Sequence, residues 1–266
     1  MPYSDLCREK ILSEDYHDFI VSDIRMPFLQ DMLEKDCCLQ NPGFFYQCAY
    51  LSKSVIKPVS LENYSYFSIP KCYSLLSMQA LNQAGILPIQ NHSTIQLSGK
   101  QVMIGFLDTG IDYQNPVFQH LDKTTRIAGI WDQTIQSGTP PESFDYGSHY
   151  TPDMINEALA SEDPYSLVPS VDNNGHGTFL ASIAAGSGDP DAQFIGAAPE
   201  SVIAVVKLKQ AKQYLRDYYF IPNTAPAFQE NDIMLGMRYL HLLAEKLGLP
   251  LIFCLALGSN LGGHSG

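Results

Sequence analysis

The 266-residue sequence is short of positive charge, because 16 lysine and arginine residues stand against 28 aspartate and glutamate residues, for a net charge of −12. Such a surface repels phosphates, so we expect no nucleic-acid partner. The sequence also lacks a long hydrophobic run: the longest, roughly residues 249–257, is far shorter than the ~20 residues that span a bilayer. The first residues, MPYSDLCREKILSEDYHDFIV, do not have the pattern of a signal peptide. We therefore expect no membrane partner and a cytoplasmic location.

Metal and cofactor motifs are also missing. None of the six cysteines is separated from another by the two-residue gap of zinc and redox motifs, and Cys37 and Cys38 are adjacent. We expect free thiols in a reducing compartment rather than a disulfide framework. A phosphate-binding loop with a Gly-Lys pair, a dinucleotide-binding glycine pattern and a nucleophile elbow are not found. The sequence therefore indicates no required cofactor.

The chain changes character near residue 75. Residues 1–75 hold five of the six cysteines and predict a small α+β unit. Its expected elements are a strand at 16–21, a helix at 26–35 and an extended segment at 53–59. The stretch SIPKCYSLLSMQALNQAG, which follows, predicts a connector running into a helix. Residues 76–100 are assigned to this connector.

From residue 101 onwards, apolar strands alternate with helices. The continuous runs QVMIGFL, SVIAVVKL and LIFCLAL are typical of strands buried on both faces. The segment 231–247 carries an apolar stripe at helical spacing, and a further helix follows NNG at residue 176. The order strand, helix, strand, helix, strand predicts a parallel α/β sheet with helices on its faces. Residues 113–172 are a long polar region, either functional or inserted, with one helix at 151–160.

Two residues could carry chemistry at the carboxyl ends of these strands, where ligands bind in such sheets. Asp108 ends the first strand in FLDTGID, and His176 opens a helix in NNGHGTFLASIAAG. Alone, each has a plainer interpretation, as a turn aspartate and as a residue near a capped helix. A helix N-terminus disfavours an imidazolium, so a catalytic His176 needs a carboxylate on its second ring nitrogen. Asp108 could supply it; a metal pair of Asp172 with His176 is the weaker alternative.

Four segments together resemble the subtilisin-like serine proteases (subtilases), in that family's order. They are VMIGFLDTGID, NNGHGTFLASIAAG, GAAPESVIAVVKL and LIFCLALGSNLGG, within residues 98–266. The resemblance implies an α/β, parallel-sheet, three-layer catalytic core over residues 101–266, incomplete and with an insertion at 113–172. It implies catalytic roles for Asp108 and His176. It also implies that Leu257 and Gly258 bind an extended peptide or protein substrate through their backbone.

The N-terminal wording, ILSEDYHDFIV and IPKCYSLL, is similar to clostridial subtilases of the germination type. This likeness implies that residues 1–75 are a prodomain docked on the catalytic domain. A docked template would help a parallel sheet to form, because its contacts are non-local and slow to close. Calcium binding is common in the family, but we match no calcium ligands to positions of this chain.

The sequence departs from the family pattern in three ways. Phe179 stands where a histidine is common, at a packing position, and Ala256 stands where a serine is common. The nucleophilic serine and the oxyanion-binding asparagine are expected beyond residue 266, so we expect this chain alone to be inactive. Two alternatives stay open. One is an inactive relative that works as a binding or regulatory protein, and the other is an unrelated α/β hydrolase or ligand-binding domain.

Overall fold

The computed structural model describes residues 5–22, 36–43, 45–75, 97–188 and 195–258. The strands, in chain order, are β1 Tyr16–Ser22, β2 Cys37–Gly43, β3 Tyr46–Ser52, β4 Cys72–Leu75, β5 Met103–Asp108, β6 Ile127–Asp132, β7 Ser148–Tyr150, β8 Val202–Lys207, β9 Phe228–Gln229, β10 Leu251–Cys254 and β11 Leu257–Gly258. The α-helices are α1 Asp5–Leu12, α2 Pro152–Ala160, α3 Pro164–Leu167, α4 His176–Ala185, α5 Gln213–Tyr218 and α6 Glu230–Leu247. The strands form three sheets.

The largest sheet has five strands in the order β10-β5-β8-β6-β7. Strands β10, β5, β8 and β6 are parallel, and β7 is antiparallel at the edge. All six residues of β5 are buried, as its continuous apolar run requires. One face of the sheet packs against α6 through Leu107, Val206 and Leu240, and the other packs against α2 and α4. This arrangement confirms the predicted α/β sheet with helices on its faces.

The polar region 113–172 contributes more than the sequence predicts. It supplies β6, which pairs in parallel with β8, and β7, which closes the edge beside β6. Helix α2 confirms the predicted helix, with the Thr151 hydroxyl accepting a hydrogen bond from the backbone of Met154. The region is therefore part of the central sheet as well as a loop.

The N-terminal residues form an antiparallel sheet of order β1-β3-β2 beside α1. Strand β1 confirms the strand predicted at 16–21, whereas residues 53–59 form turns and irregular backbone rather than the predicted extended segment. The helix predicted at 26–35 lies outside the described residues. Cys7 of α1 and Cys38 of β2 form a disulfide, with 5.4 Å between their Cα atoms. The prediction of free thiols is therefore wrong for this pair.

A third, small sheet joins segments that are far apart in sequence. Its order is β11-β4-β9, and both pairings are antiparallel. Residues 72–75 thus form a strand where the sequence predicts a connector, and most of that connector, 76–96, lies outside the described residues. The apolar run LIFCLAL is divided: its first part joins the central sheet as β10, and its end joins the third sheet as β11.

Across the described ranges, none of the helices combines the length and the apolar character needed to cross a bilayer.

Candidate active site

Asp108 lies at the carboxyl end of β5, where the chain turns out of the central sheet. Its neighbour across the sheet is Lys207, the last residue of β8. The residue is only 2% exposed, and the backbone N–H of Thr109 donates to its Oδ1 at 2.7 Å. Burial raises the pKa of the Asp108 carboxyl, and the hydrogen bonds from His176 and Thr109 oppose this effect. The strand end therefore holds a largely desolvated carboxyl group in a fixed position.

His176 is the first residue of α4 and faces this carboxyl group. Its Nδ1 lies 2.8 Å from Oδ1 and 3.0 Å from Oδ2 of Asp108. The helix begins after Gly175, whose φ of 83° places it in the left-handed region that glycine adopts without strain. The structure thus brings together the two residues that the sequence singles out. Because Nδ1 faces Asp108, Nε2 is the ring nitrogen through which His176 would exchange a proton with a nucleophile.

A close approach of backbones sets the distance between the two elements. A Cβ atom added to Gly177 would lie 2.2 Å from the carbonyl oxygen of Gly110 and 3.2 Å from Cβ of Asp108. Only a glycine allows the first turn of α4 to rest on the turn after β5. The two glycines that flank His176 in the sequence were the signal for this approach.

Asp172 holds the two halves of the site together, a role that the sequence did not reveal. Its Oδ1 accepts hydrogen bonds from the Thr109 hydroxyl at 2.7 Å and from the N–H groups of Asn174 and Gly175. Its Oδ2 accepts from the N–H and the hydroxyl of Thr178, at 2.8 and 2.7 Å. Burial alone would raise the pKa of Asp172, but these hydrogen bonds together hold it below its usual value.

The Asp172 contacts argue against the alternative of a metal pair with His176. Both Asp172 oxygens accept hydrogen bonds, and His176 Nδ1 faces Asp108. In the part of the chain that the structure describes, no three histidine, cysteine, aspartate or glutamate side chains form a group suited to a metal ion. Asp172 is better described as a brace between the turn after β5 and the start of α4.

Leu257 and Gly258, the expected substrate-binding residues, form β11 and pair with a segment of the same chain. Leu257 lies opposite Leu75 and Gly258 opposite Ser74, in an antiparallel register. On its other side, β4 pairs with β9, with Cys72 opposite Gln229. Strand β4 of the same chain therefore lies between β11 and β9, beside the residues that are expected to bind an extended peptide.

Phe179 does not behave as expected. The resemblance to the subtilases implies a packing position, yet its side chain is 45% exposed, one turn after His176 on α4. Ala181 and Ala185 carry the buried side of this helix instead.

Comparison with known proteins gives the family. A profile of the subtilase family, Peptidase_S8, matches residues 99–233, about half of the chain. The chain belongs to the subtilase family. The match includes both Asp108 and His176. The central sheet with its helical faces is therefore a subtilisin-like α/β core.

Individual relatives agree with this family. The chain is similar to the subtilisin-like proteases SBT2.2 and SBT2.3 of Arabidopsis thaliana, with 32% and 31% identity over 131 and 102 residues. These matches cover 42% and 35% of this chain but only 15% and 12% of the plant proteins. In structure it is similar to the CspB protease of Clostridium perfringens, with a TM-score of 0.55 and 34% identity. That match covers 68% of this chain and 34% of the clostridial chain.

Proposed function

We propose that this subtilase chain carries the general base and the orienting carboxylate of a serine endopeptidase. The observation that supports this most is the contact of His176 Nδ1 with both Asp108 oxygens, at 2.8 and 3.0 Å. In the proposed mechanism, Nε2 takes the proton of a serine as the serine oxygen attacks a peptide carbonyl. His176 then passes the proton to the leaving amine, while Asp108 keeps the ring in one tautomer and stabilises the imidazolium.

We further propose that the nucleophilic serine and the oxyanion donor lie in a part of the protein beyond residue 266. The chain spans about a seventh of the length of the plant relative SBT2.2 and about a third of the clostridial chain, so this proposal leaves room for them. Without a nucleophile, activity falls by about 10⁶ in such triads, so the 266-residue chain alone should cleave peptides only at background.

A fluorophosphonate probe, which reacts with activated serines, tests both proposals. We expect the protein that extends beyond residue 266 to be labelled and the 266-residue chain not to be. Asp108→Asn in the longer protein should lower kcat by about 10⁴ with little change in KM, because it disturbs the tautomer of His176. Labelling of the short chain would contradict our location of the serine. An unlabelled longer protein would favour the alternative, a catalytically inactive relative that binds or regulates a partner.

The strand edges on either side of β4 are the candidate substrate-binding site. We propose that β11 and β9 bind an extended peptide or protein substrate between them, and that β4 holds this place in the present chain. The antiparallel registers on both sides of β4 support it, because strand addition to a sheet edge is a common mode of peptide binding. Residues 1–75 would then act as a prodomain docked on the catalytic domain.

Cofactor requirement and location remain proposals. We propose that catalysis needs no cofactor. Unchanged activity of the longer protein after dialysis against EDTA would support this, whereas a loss of activity that calcium restores would contradict it.

We also propose a cytoplasmic location, although the Cys7–Cys38 disulfide weighs against a reducing compartment. Thiol labelling of these two cysteines in intact cells, followed by fractionation, tests the location.

A further inference from the structure

A buried carboxylate joins the N-terminal sheet to the catalytic core. Asp18 lies in the middle of β1 and is 1% exposed. Its Oδ1 forms an ion pair with Lys212 Nζ, and its Oδ2 accepts hydrogen bonds from Gln229 Nε2 at 2.6 Å and Asn231 Nδ2 at 3.0 Å. The three partners are 194 to 213 positions away in sequence. The contact is therefore a tertiary one, made only when the sheet is docked.

The pocket that holds the Asp18 side chain, formed by Lys212, Tyr214, Gln229 and Asn231, also binds the backbone of β1. The Tyr214 hydroxyl accepts a hydrogen bond from the N–H of Asp18 at 2.8 Å and donates one to its carbonyl oxygen at 2.9 Å. Lys212 Nζ donates to the carbonyl oxygen of Tyr16 at 3.0 Å. The pocket thus binds both the extended backbone and the acidic side chain of this strand.

The chemistry of the pocket fits a carboxylate better than a neutral group. Lys212 is 3% exposed, and Gln229 and Asn231 are fully buried. A buried ammonium group without a partner is strongly unfavourable, and two amide donors aimed at one oxygen suit an anionic acceptor. Burial lowers the pKa of Lys212, and the negative charge of Asp18 opposes this. Lys212, Gln229 and Asn231 are therefore matched to the carboxylate that they hold.

The pocket is continuous with the edge that holds β4. The side chain of Gln229 binds Asp18, while its backbone pairs with Cys72 in the β9–β4 ladder. The next residue, Glu230, receives a hydrogen bond from the Lys71 N–H at 3.0 Å and donates its own N–H to the Lys71 carbonyl at 2.7 Å. Residues 229–231 thus contact the Asp18 carboxylate on one side and the segment 71–72 on the other.

We propose that Lys212, Gln229 and Asn231 form a carboxylate-binding site, filled by Asp18 and flanked by Tyr214 on the strand backbone, that couples docking of the N-terminal sheet to the order of the β9 edge. Only the description of that edge as a peptide-binding edge rests on the proposed function. When Asp18 is in place, Gln229 is fixed and β9 presents its backbone to an extended strand. Loss of the carboxylate leaves the Gln229 side chain with only its bonds to Asn231 Oδ1 and to the Lys212 N–H, and so loosens the edge.

Amide hydrogen exchange of the 266-residue chain tests this coupling. Asp18→Asn keeps the shape of the side chain and removes its charge. We expect exchange in peptides covering 72–75 and 228–229 to become at least tenfold faster, with exchange in β5 and β8 unchanged. Asp36→Asn is the matched control, because Asp36 is a half-exposed carboxylate whose ion pair with Lys10 stays within the N-terminal unit. We expect no change at the β9 edge in this variant.

Two results would overturn the proposal: an unchanged edge in Asp18→Asn, or an equal increase in Asp36→Asn. If Asp18→Asn does not fold, the double variant Asp18→Leu/Lys212→Met replaces both charges with apolar groups of similar size, a change that buried ion pairs often tolerate. Its edge should still exchange faster, because Gln229 and Asn231 have both lost the Asp18 acceptor and Gln229 keeps only Asn231 Oδ1 as an acceptor. A protected edge would refute the coupling. The measurement needs no serine, so its outcome is independent of the fluorophosphonate result.

Discussion

Asp172 and Asp18 both join two parts of the molecule through a carboxylate, but they do so with different partners. Asp172 accepts from hydroxyl and backbone N–H groups, and three of its four donor residues lie within six positions of it. Asp18 binds a buried lysine and two buried amides that are about 200 positions away. The donors at Asp172 are all neutral and mostly local, whereas those at Asp18 include the charged Lys212 and are all non-local.

The difference follows from what each junction holds. The Asp172 junction fixes a pair, Asp108 and His176, whose charge must change during the proposed reaction. Neutral donors fix its geometry without placing another full positive charge beside the imidazole. The Asp18 junction holds a sheet on the core, and a permanent ion pair with amide donors suits a contact that need not change charge.

The largest loss of stability is expected at the close contact between the first turn of α4 and the turn after β5. Gly177→Ala places a methyl group 2.2 Å from the carbonyl oxygen of Gly110, so the backbone must shift. We expect the free energy of unfolding to fall by about 3 kcal/mol, measured by urea denaturation. Gly175→Ala is the matched control. Its Cβ would meet nothing within 4 Å, so only the strain of its positive φ remains, about 1–2 kcal/mol. Equal losses would show that the close approach is not the constraint.

An intermediate effect is expected at the brace itself. Asp172→Ala leaves the donors of Thr109, Gly175 and Thr178 without their acceptor, so unfolding should become easier by about 2 kcal/mol. Asp112→Ala removes an exposed carboxylate that accepts only from Gln114 among the contacts described, and should change stability by less than about 0.5 kcal/mol. Thermal unfolding of the two variants, side by side, makes the comparison. Equal losses of stability in Asp172→Ala and Asp112→Ala would contradict the role given to Asp172.

The smallest effect is expected from a histidine beside the Asp18 junction. His17 stacks on Tyr214, with 3.8 Å between ring centroids. Burial, together with the positive charges of Lys53 and Lys212, lowers the pKa of His17 from 6.5 to about 4, although the negative charge of Asp18 opposes this shift. The unfolded chain therefore binds more protons than the folded chain between these values, so stability falls as pH drops from 6.5 towards 4. His17→Phe keeps the stacked ring without the proton and should lose less stability over this window. Parallel losses in urea titrations at pH 6.5 and 4.5 would show that His17 is not involved.

Local signals explain what the sequence predicted well. Asp108 follows a continuous apolar strand and precedes a glycine turn, and His176 follows Asn-Asn-Gly before an apolar helix. Each position is marked by its own neighbours, so the structure places both where the pattern indicates. The helices α2 and α6 were predictable for the same reason, since their caps and stripes lie within the helix or next to it.

Non-local pairing explains what the sequence did not reveal. Strand β6 has the short run IAGIWD, interrupted by Gly129, and it forms because β8 lies beside it. Strand β4 exists only between β11 and β9. Asp18 resembles an ordinary polar residue of an edge strand until Lys212 is brought to it by the fold. Phe179 shows the opposite outcome, because the family resemblance implies a packing position and the side chain is 45% exposed.

The position of β4 has a consequence for any binding measurement on this chain. A segment tethered to the protein competes with an added peptide at an effective concentration on the order of millimolar, whatever amount of protein is in the tube. If β4 itself has micromolar intrinsic affinity for the proposed peptide-binding edge of β11 and β9, an outside peptide would look about a thousandfold weaker on the intact chain than on one whose tether is cut.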